Sequence, residues 1–104
     1  MNDYQHQFPA TKWSTAPATA VALSTQAKKV RDEASEALDS ARRHQPFAAT
    51  AVELMDCIVA AETGLRMLES AGVDIDAAKA EVLAKNEARG YWRAHPFDSI
   101  EASS

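Results

Sequence analysis

The segment from Phe47 to Ala61 is apolar almost throughout, and it constrains the fold more than any other part of the chain. Its only strongly polar side chains are those of Thr50, Glu53 and Asp56. A helix that is apolar almost all round is a buried helix, and burying a carboxylate is costly unless the charge is neutralised, paired or bound to a metal. Because this segment contains no Lys or Arg, the compensating charge must come from another helix, another subunit or a bound cation.

Two pairs of acids share one spacing along the chain. Glu33 and Glu36 form the first pair, and Glu53 and Asp56 form the second. On a helix, side chains three residues apart lie on one face, with roughly 5–6 Å between their Cβ atoms. Two such helices packed side by side would therefore make a cage of four carboxylates.

Periodicity predicts three helices. In the first, apolar residues recur at steps of three and four, at Leu23, Ala27, Val30, Ala34, Ala37 and Ala41. We expect helices over about 18–43, 46–70 and 75–89, with Asp74 as the N-cap of the third. No segment alternates β-branched and polar residues over any length, so the predicted fold class is all-α, with short turns between helices.

The chain divides into an N-terminal arm (1–18), a helical domain (19–92) and a C-terminal tail (93–104). The arm contains two prolines together with Phe8 and Trp13, and it shows neither helical nor strand periodicity. Because aromatic side chains are seldom left in water, we expect this extended arm to lie over the helices or over a neighbouring subunit.

Composition excludes several classes of function. With 104 residues, the chain is one small domain near the lower limit for burying a sufficient core, so an obligate oligomer is expected. The net charge is −4 and the Lys and Arg residues are scattered, which argues against nucleic-acid binding. The single cysteine, Cys57, excludes an internal disulfide and fits a reducing cytoplasm. No apolar run approaches the roughly 20 residues of a membrane span, and Met1–Tyr4 does not begin a leader, so we expect a soluble cytoplasmic protein.

The four acids point to a particular kind of ion. Carboxylate oxygens without nearby His or Cys favour a hard cation of the Mg2+ type over zinc. Such an ion lowers the pKa of bound water and neutralises charge on a phosphoryl group. Hydrolysis of a phosphoanhydride is therefore the chemistry that these residues indicate.

The ordered motifs over about 27–92 resemble those of the MazG-like all-α nucleoside triphosphate pyrophosphohydrolases. The resemblance is carried by the segments Lys29–Glu36, Glu53–Asp56, Gly72–Asp76 and Lys85–Tyr91. It implies a helical bundle completed by oligomerisation, as a homodimer or homotetramer. It also implies cleavage of a (deoxy)nucleoside triphosphate to the monophosphate and pyrophosphate.

The resemblance further implies roles for individual residues. Mg2+, or Mn2+ as the alternative, would be held by Glu33, Glu36, Glu53 and Asp56, or by three of them with the fourth as a base that orients water. The phosphates would be contacted by Lys85, Asn86 and Arg89. Many family members carry Lys three residues before the Asn, whereas Leu83 stands there in this chain. The phosphate contact would then fall to Lys85, Lys79 or a partner subunit.

Structural alternatives stand beside each of these roles. Glu53 and Asp56 could instead pair with arginines of a neighbouring helix, namely Arg42, Arg43 or Arg89. Lys85 and Arg89 would be favoured near a helix C-terminus without any ligand. Three aromatic residues could stack a nucleobase or seal an oligomer interface: Trp13 of the arm, and Tyr91 and Trp92 at the end of the helical domain. The corresponding alternative function is a non-catalytic helical oligomerisation or interaction module.

Overall fold

The computed structural model describes residues 2–92, and the predicted tail 93–104 lies outside this range. Three helices follow one another: α1 (Ala20–Arg42), α2 (Phe47–Ser70) and α3 (Ile75–Ala88). The part of the chain that is described contains no strand. The prediction of an all-α fold is therefore confirmed for these residues, and each helix lies within a few residues of its predicted bounds.

Helices α1 and α2 form an antiparallel hairpin. Their contacts join the first half of α1 to the middle of α2 and the end of α1 to the start of α2: Gln26 Nε2 donates to Ala60 O at 2.8 Å, Cys57 Sγ lies 3.9 Å from Val30 O, and Ser40 Oγ lies 2.8 Å from Thr50 Oγ1. The connection is short, and His44 turns the chain with φ of 55°. The hairpin fixes the register in which the two helices face each other.

Small side chains allow the two helices of the hairpin to approach closely. Ala37 and Ala60 are buried at their interface, and a Cβ on Gly64 would lie 3.4 Å from Gln26 Cγ. Met67 of α2 and Ile75 of α3 are the other buried apolar residues of this small core. The core therefore gains its stability from close packing of small groups, since the dispersion energy of each contact depends steeply on distance.

A glycine turn and a side-chain cap connect α2 to α3. Gly72 has φ of 90°, and Val73 N donates to Leu68 O at 3.0 Å, which closes the C-terminus of α2. The Asp74 side chain accepts from Ala77 N at 3.0 Å at the N-terminus of α3. These are the stop and start signals that the sequence predicts.

Residues 2–18 contain no helix or strand and lie against α2 and α3. At one end of the arm, Asn2 Oδ1 accepts from Ile75 N at 2.5 Å, and Asn2 Nδ2 donates to Val73 O at 2.8 Å. At the other end, Thr11 Oγ1 lies 3.0 Å from Thr63 Oγ1. The arm thus returns along the outside of the helices before α1 begins.

The first half of α2 is not buried in the single chain, so that prediction is wrong at this level. Its exposed apolar side chains are Phe47 (95% exposed), Val52 (59%), Leu54 (54%), Met55 (53%) and Ile58 (39%). Asp56 is exposed as well. The physical reason is that α1 packs along α2, whereas α3 makes few contacts with α2. None of the three helices is long and apolar enough to cross a lipid bilayer.

The N-cap of α3 gives a test of this local structure. We expect Asp74→Ala to lower the free energy of unfolding by about 1 kcal/mol, because the amide of Ala77 loses its acceptor. Urea unfolding followed by circular dichroism measures the change. Asp39→Ala is the matched control, since Asp39 is exposed within α1 and its side chain makes no hydrogen bond within 2–92. An equal decrease in the free energy of unfolding in both variants would contradict the capping role of Asp74.

Candidate functional site

The hairpin brings three of the four predicted acids together. One carboxylate oxygen from each of Glu33, Glu53 and Asp56 lies within 4.8 Å of the others. The register explains this cluster, because Val30 faces Cys57 on the same side of the hairpin. One acid therefore comes from the middle of α1, and two come from the first half of α2.

Glu33 is the most enclosed of these acids, at 8% exposed. Lys29, one turn earlier on α1, places Nζ 2.9 Å from Glu33 Oε1. Hydrogen bonding to this ammonium lowers the pKa of Glu33 below its usual value and raises that of Lys29. The cluster therefore contains one internal positive charge. The i, i+4 spacing of these residues is the sequence signal that could have identified the pair.

Glu36 lies beside the cluster on the exposed surface of α1. Its pKa is raised, first by a hydrogen bond to Glu33 and then by the negative charge of that carboxylate, with a smaller contribution from Glu53. The carboxyl group of Glu36 thus holds a proton more readily than an isolated glutamate does. Glu36 is therefore electrostatically linked to Glu33, and more weakly to Glu53.

Glu53 and Asp56 form no ion pair within the described range 2–92. The arginines considered as their structural partners, Arg42, Arg43 and Arg89, do not bridge them there. Glu53 is half-buried and Asp56 is exposed, so water supplies part of their solvation. Among the ion pairs of residues 2–92, the one that brings a positive charge to the cluster is the pair between Lys29 and Glu33.

The donor set fits a hard divalent cation. It consists of carboxylate oxygens from two helices, and neither His nor Cys belongs to it. Cations of the Mg2+ type prefer oxygen ligands and retain several waters, which suits a cluster that is open to solvent on the side of Asp56. Glu33, Glu53 and Asp56 could therefore hold such an ion, with Glu36 next to it.

A cavity of about 450 Å³ opens directly beside the acids. The arm contributes Thr11 and Trp13 to its wall, α1 contributes Thr25, Gln26, Lys29 and Glu33, and α2 contributes Asp56, Val59, Ala60 and Thr63. Its volume lies within the ~300–1,000 Å³ that is typical of ligand pockets. The arm therefore forms part of the wall of a cavity that lies within one chain.

The predicted phosphate-binding residues lie elsewhere in the chain. Lys85, Asn86 and Arg89 belong to α3 or its C-cap, and none of them lines the cavity beside the acids. Lys85 and Arg89 are exposed, whereas Asn86 is half-buried. Within one chain, the structure therefore does not bring these three residues to the acidic cluster.

Comparisons with models of known protein families, with curated proteins and with solved structures find no match for this chain. The resemblance to the MazG-like family therefore stays an expectation drawn from the motifs.

The raised pKa of Glu36 predicts a pH effect on stability. The folded state keeps a proton on Glu36 to higher pH than the unfolded chain does. Its contribution to the free energy of unfolding therefore falls as pH rises from the ordinary carboxyl value of 4.5 through the raised pKa. We expect Glu36→Gln to remove this loss, so that the variant is more stable than the natural chain at pH 7 in the presence of a chelator.

Urea unfolding at a series of pH values measures this effect. Glu81→Gln is the matched control, because Glu81 is exposed on α3 and forms no ion pair or side-chain hydrogen bond among residues 2–92. The same change in both variants, or a less stable Glu36→Gln at pH 7, would contradict the electrostatic coupling of the acids.

Proposed function

We propose that the protein is a Mg2+-dependent nucleotide pyrophosphohydrolase that cleaves a (deoxy)nucleoside triphosphate to the monophosphate and pyrophosphate, with Mn2+ as an alternative ion. One observation carries the proposal: carboxylates from α1 and α2 converge within 4.8 Å beside a cavity of ligand size. The MazG-like motifs supply the reaction class. Activity on nucleotide pools implies a cytoplasmic location.

The acids have complementary roles in this proposal. Glu33, Glu53 and Asp56 would hold the cation, because their oxygens lie closest together. When bound, a cation of this type lowers the pKa of a coordinated water and neutralises charge on the phosphoryl oxygens. Before it binds, Lys29 balances part of the negative charge through its contact with Glu33.

Glu36 is the best candidate for the general base. The reaction forms a bond between a water oxygen and the α-phosphorus, and it breaks the bond from that phosphorus to the oxygen bridging towards the β-phosphorus. Pyrophosphate leaves with the bridging oxygen, and one proton of the attacking water must be accepted. Glu36 lies one turn from Glu33 on α1, beside the three converging acids, so its carboxylate is placed to accept that proton.

A second copy of the chain would complete the phosphate site. The side chains of Phe47, Leu54, Met55 and Ile58 follow a helical stripe along α2 and are exposed in the single chain. An apolar stripe of this kind marks an interaction surface. In a homodimer or homotetramer formed through this stripe, Lys85, Asn86 and Arg89 of one copy would contact the phosphates held at the acids of another copy.

The same stripe favours the second candidate function, a non-catalytic helical interaction module. In that case the acids would pair with arginines across the interface, and no nucleotide would be hydrolysed. The two candidates share the fold and the oligomer, so turnover and metal binding separate them.

Release of pyrophosphate tests the proposal directly. A panel of nucleoside triphosphates is incubated with Mg2+, and monophosphate and pyrophosphate are quantified. We expect turnover by the natural chain and a loss of at least about 100-fold in Glu53→Ala, because a ligand of the cation is removed. Glu36→Gln should lower kcat while the rise in unfolding temperature on adding Mg2+ persists, since the three converging acids remain.

Glu81→Ala is the control and should retain activity, because Glu81 lies on α3 away from the cavity. If no triphosphate is hydrolysed and Glu53→Ala is more stable than the natural chain with or without Mg2+, the enzyme proposal is wrong and the interaction module replaces it.

Self-association gives a separate prediction. Light scattering should show a particle of at least twice the 11.3 kDa of one chain. The double variant Leu54→Glu with Ile58→Glu should be a monomer of unchanged helical content, because two charges are placed on the apolar stripe. Val21→Glu is the control, since Val21 is exposed on α1 outside the stripe. A monomeric natural chain would refute the proposed oligomer.

A further inference from the structure

The N-terminal arm is held against α2 by a buried carboxylate. Glu62 is 3% exposed, and it accepts from Gln7 N at 2.8 Å and from Phe8 N at 3.0 Å. Arg66, one turn later on α2, donates from Nη2 to Phe8 O at 2.8 Å. Breaking these bonds would leave a buried charge without donors, which is costly. The arm is therefore a fixed part of the molecule along this stretch.

A second set of bonds fixes the arm close to the cavity. Ser14 is buried, and its Oγ accepts from Thr11 N at 2.9 Å, while Ser14 N donates back to Thr11 O at 3.1 Å. Ala16 N donates to Trp13 O at 3.0 Å. Trp13 lies inside these two consecutive turns, so its backbone is held on both sides.

The indole ring of Trp13 is exposed although its backbone is fixed. Trp13 is 56% exposed and lines the cavity that Glu33 and Asp56 also line. The ring makes a cation–π contact with Lys12, whose Nζ lies 4.8 Å from the ring centroid. A large apolar ring kept in water beside an acidic cluster is unfavourable for a purely structural residue, whereas it suits a residue that binds a ligand.

Two hydroxyl groups of the cavity already donate their protons to backbone carbonyl groups. Thr25 Oγ1 donates to Val21 O and Thr63 Oγ1 donates to Val59 O, each at 2.9 Å. These protons are unavailable to a ligand, so its hydrogen bonds must come from other groups. The exposed indole ring of Trp13 then offers a flat surface on which a ligand could stack.

We propose that Trp13 stacks against the nucleobase of the substrate, so that the N-terminal arm is the wall of the nucleotide site that recognises the base. This inference rests on the proposed function for the identity of the ligand. The indole ring lines the same cavity as Glu33 and Asp56, so one ligand could contact the ring and the acids together. Lys29, which also lines the cavity, places a positive charge beside the acids, where the phosphates of such a ligand would lie.

Steady-state kinetics with Trp13→Ala and Trp13→Phe tests this role. Stacking on an aromatic side chain contributes to all bases, so Trp13→Ala should raise KM roughly 5- to 150-fold for purine and pyrimidine triphosphates alike. The value of kcat should change little, and Trp13→Phe should restore most of the affinity. Inorganic tripolyphosphate has no base, so its inhibition constant with Mg2+ should be the same for Trp13→Ala and the natural chain.

Fluorescence makes the inference testable without turnover. The chain contains two tryptophans, so Trp92→Phe leaves Trp13 as the one indole. Trp92 does not line the cavity, and its Nε1 donates to Leu83 O at 3.1 Å. In this variant, nucleoside monophosphates should quench the emission and ribose 5-phosphate should not.

The outcomes separate the two proposals. If the natural chain hydrolyses triphosphates but Trp13→Ala leaves KM unchanged, the stacking role is wrong and the proposed function stands. If no triphosphate is hydrolysed, the proposed function fails, and the quenching titration alone decides whether Trp13 binds a base. An absence of quenching, or equal quenching by ribose 5-phosphate, overturns the inference.

Discussion

The register of the α1–α2 hairpin determines the rest of this structure. Interhelical bonds at Gln26–Ala60 and Ser40–Thr50 fix how far one helix is shifted along the other. Small residues such as Ala37 and Ala60 allow the close approach that these bonds require. A shift of one turn would move the acids of α2 about 5.4 Å along the axis. The acidic cluster therefore depends on packing several residues away from the acids themselves.

Buried carboxylates have two distinct roles in this small molecule. Glu62 is satisfied by arm amides, so its burial orders a segment that has no regular secondary structure. Glu33 is satisfied by one ammonium and lies next to other acids, so it keeps a capacity to bind further positive charge. The difference follows from their neighbours. Backbone donors fill the site around Glu62, while the surroundings of Glu33 remain short of positive charge.

Much of the helical architecture could be predicted from the sequence, because each helix carries local signals. Periodic apolar residues predict α1, and Gly72 with Asp74 marks the boundary between α2 and α3. The convergence of Glu33 with Glu53 also follows from simple features, which are the three-residue spacing and a short turn. These properties depend on residues that are close together in the chain.

The bonds that hold the arm over the helices and the exposure of α2 could not be predicted in the same way. The arm is held by bonds from its backbone to Glu62, and side-chain periodicity carries no information about such bonds. Apolar content predicted a buried α2, but it does not distinguish a surface covered by the same chain from one covered by another copy. The wall that Trp13 adds to the cavity was missed for the first reason, and the exposure of Phe47 for the second.

The attachment of Asn2 to the start of α3 has a consequence for the order of folding. Its hydrogen bond to Ile75 joins residues 73 positions apart, whereas the hairpin joins residues such as Ser40 and Thr50 that are 10 apart. The entropy lost on closing a loop grows with its length, so this cost favours contacts between residues that are close in the chain. Loop-closure entropy therefore favours formation of the helical hairpin ahead of docking of the arm.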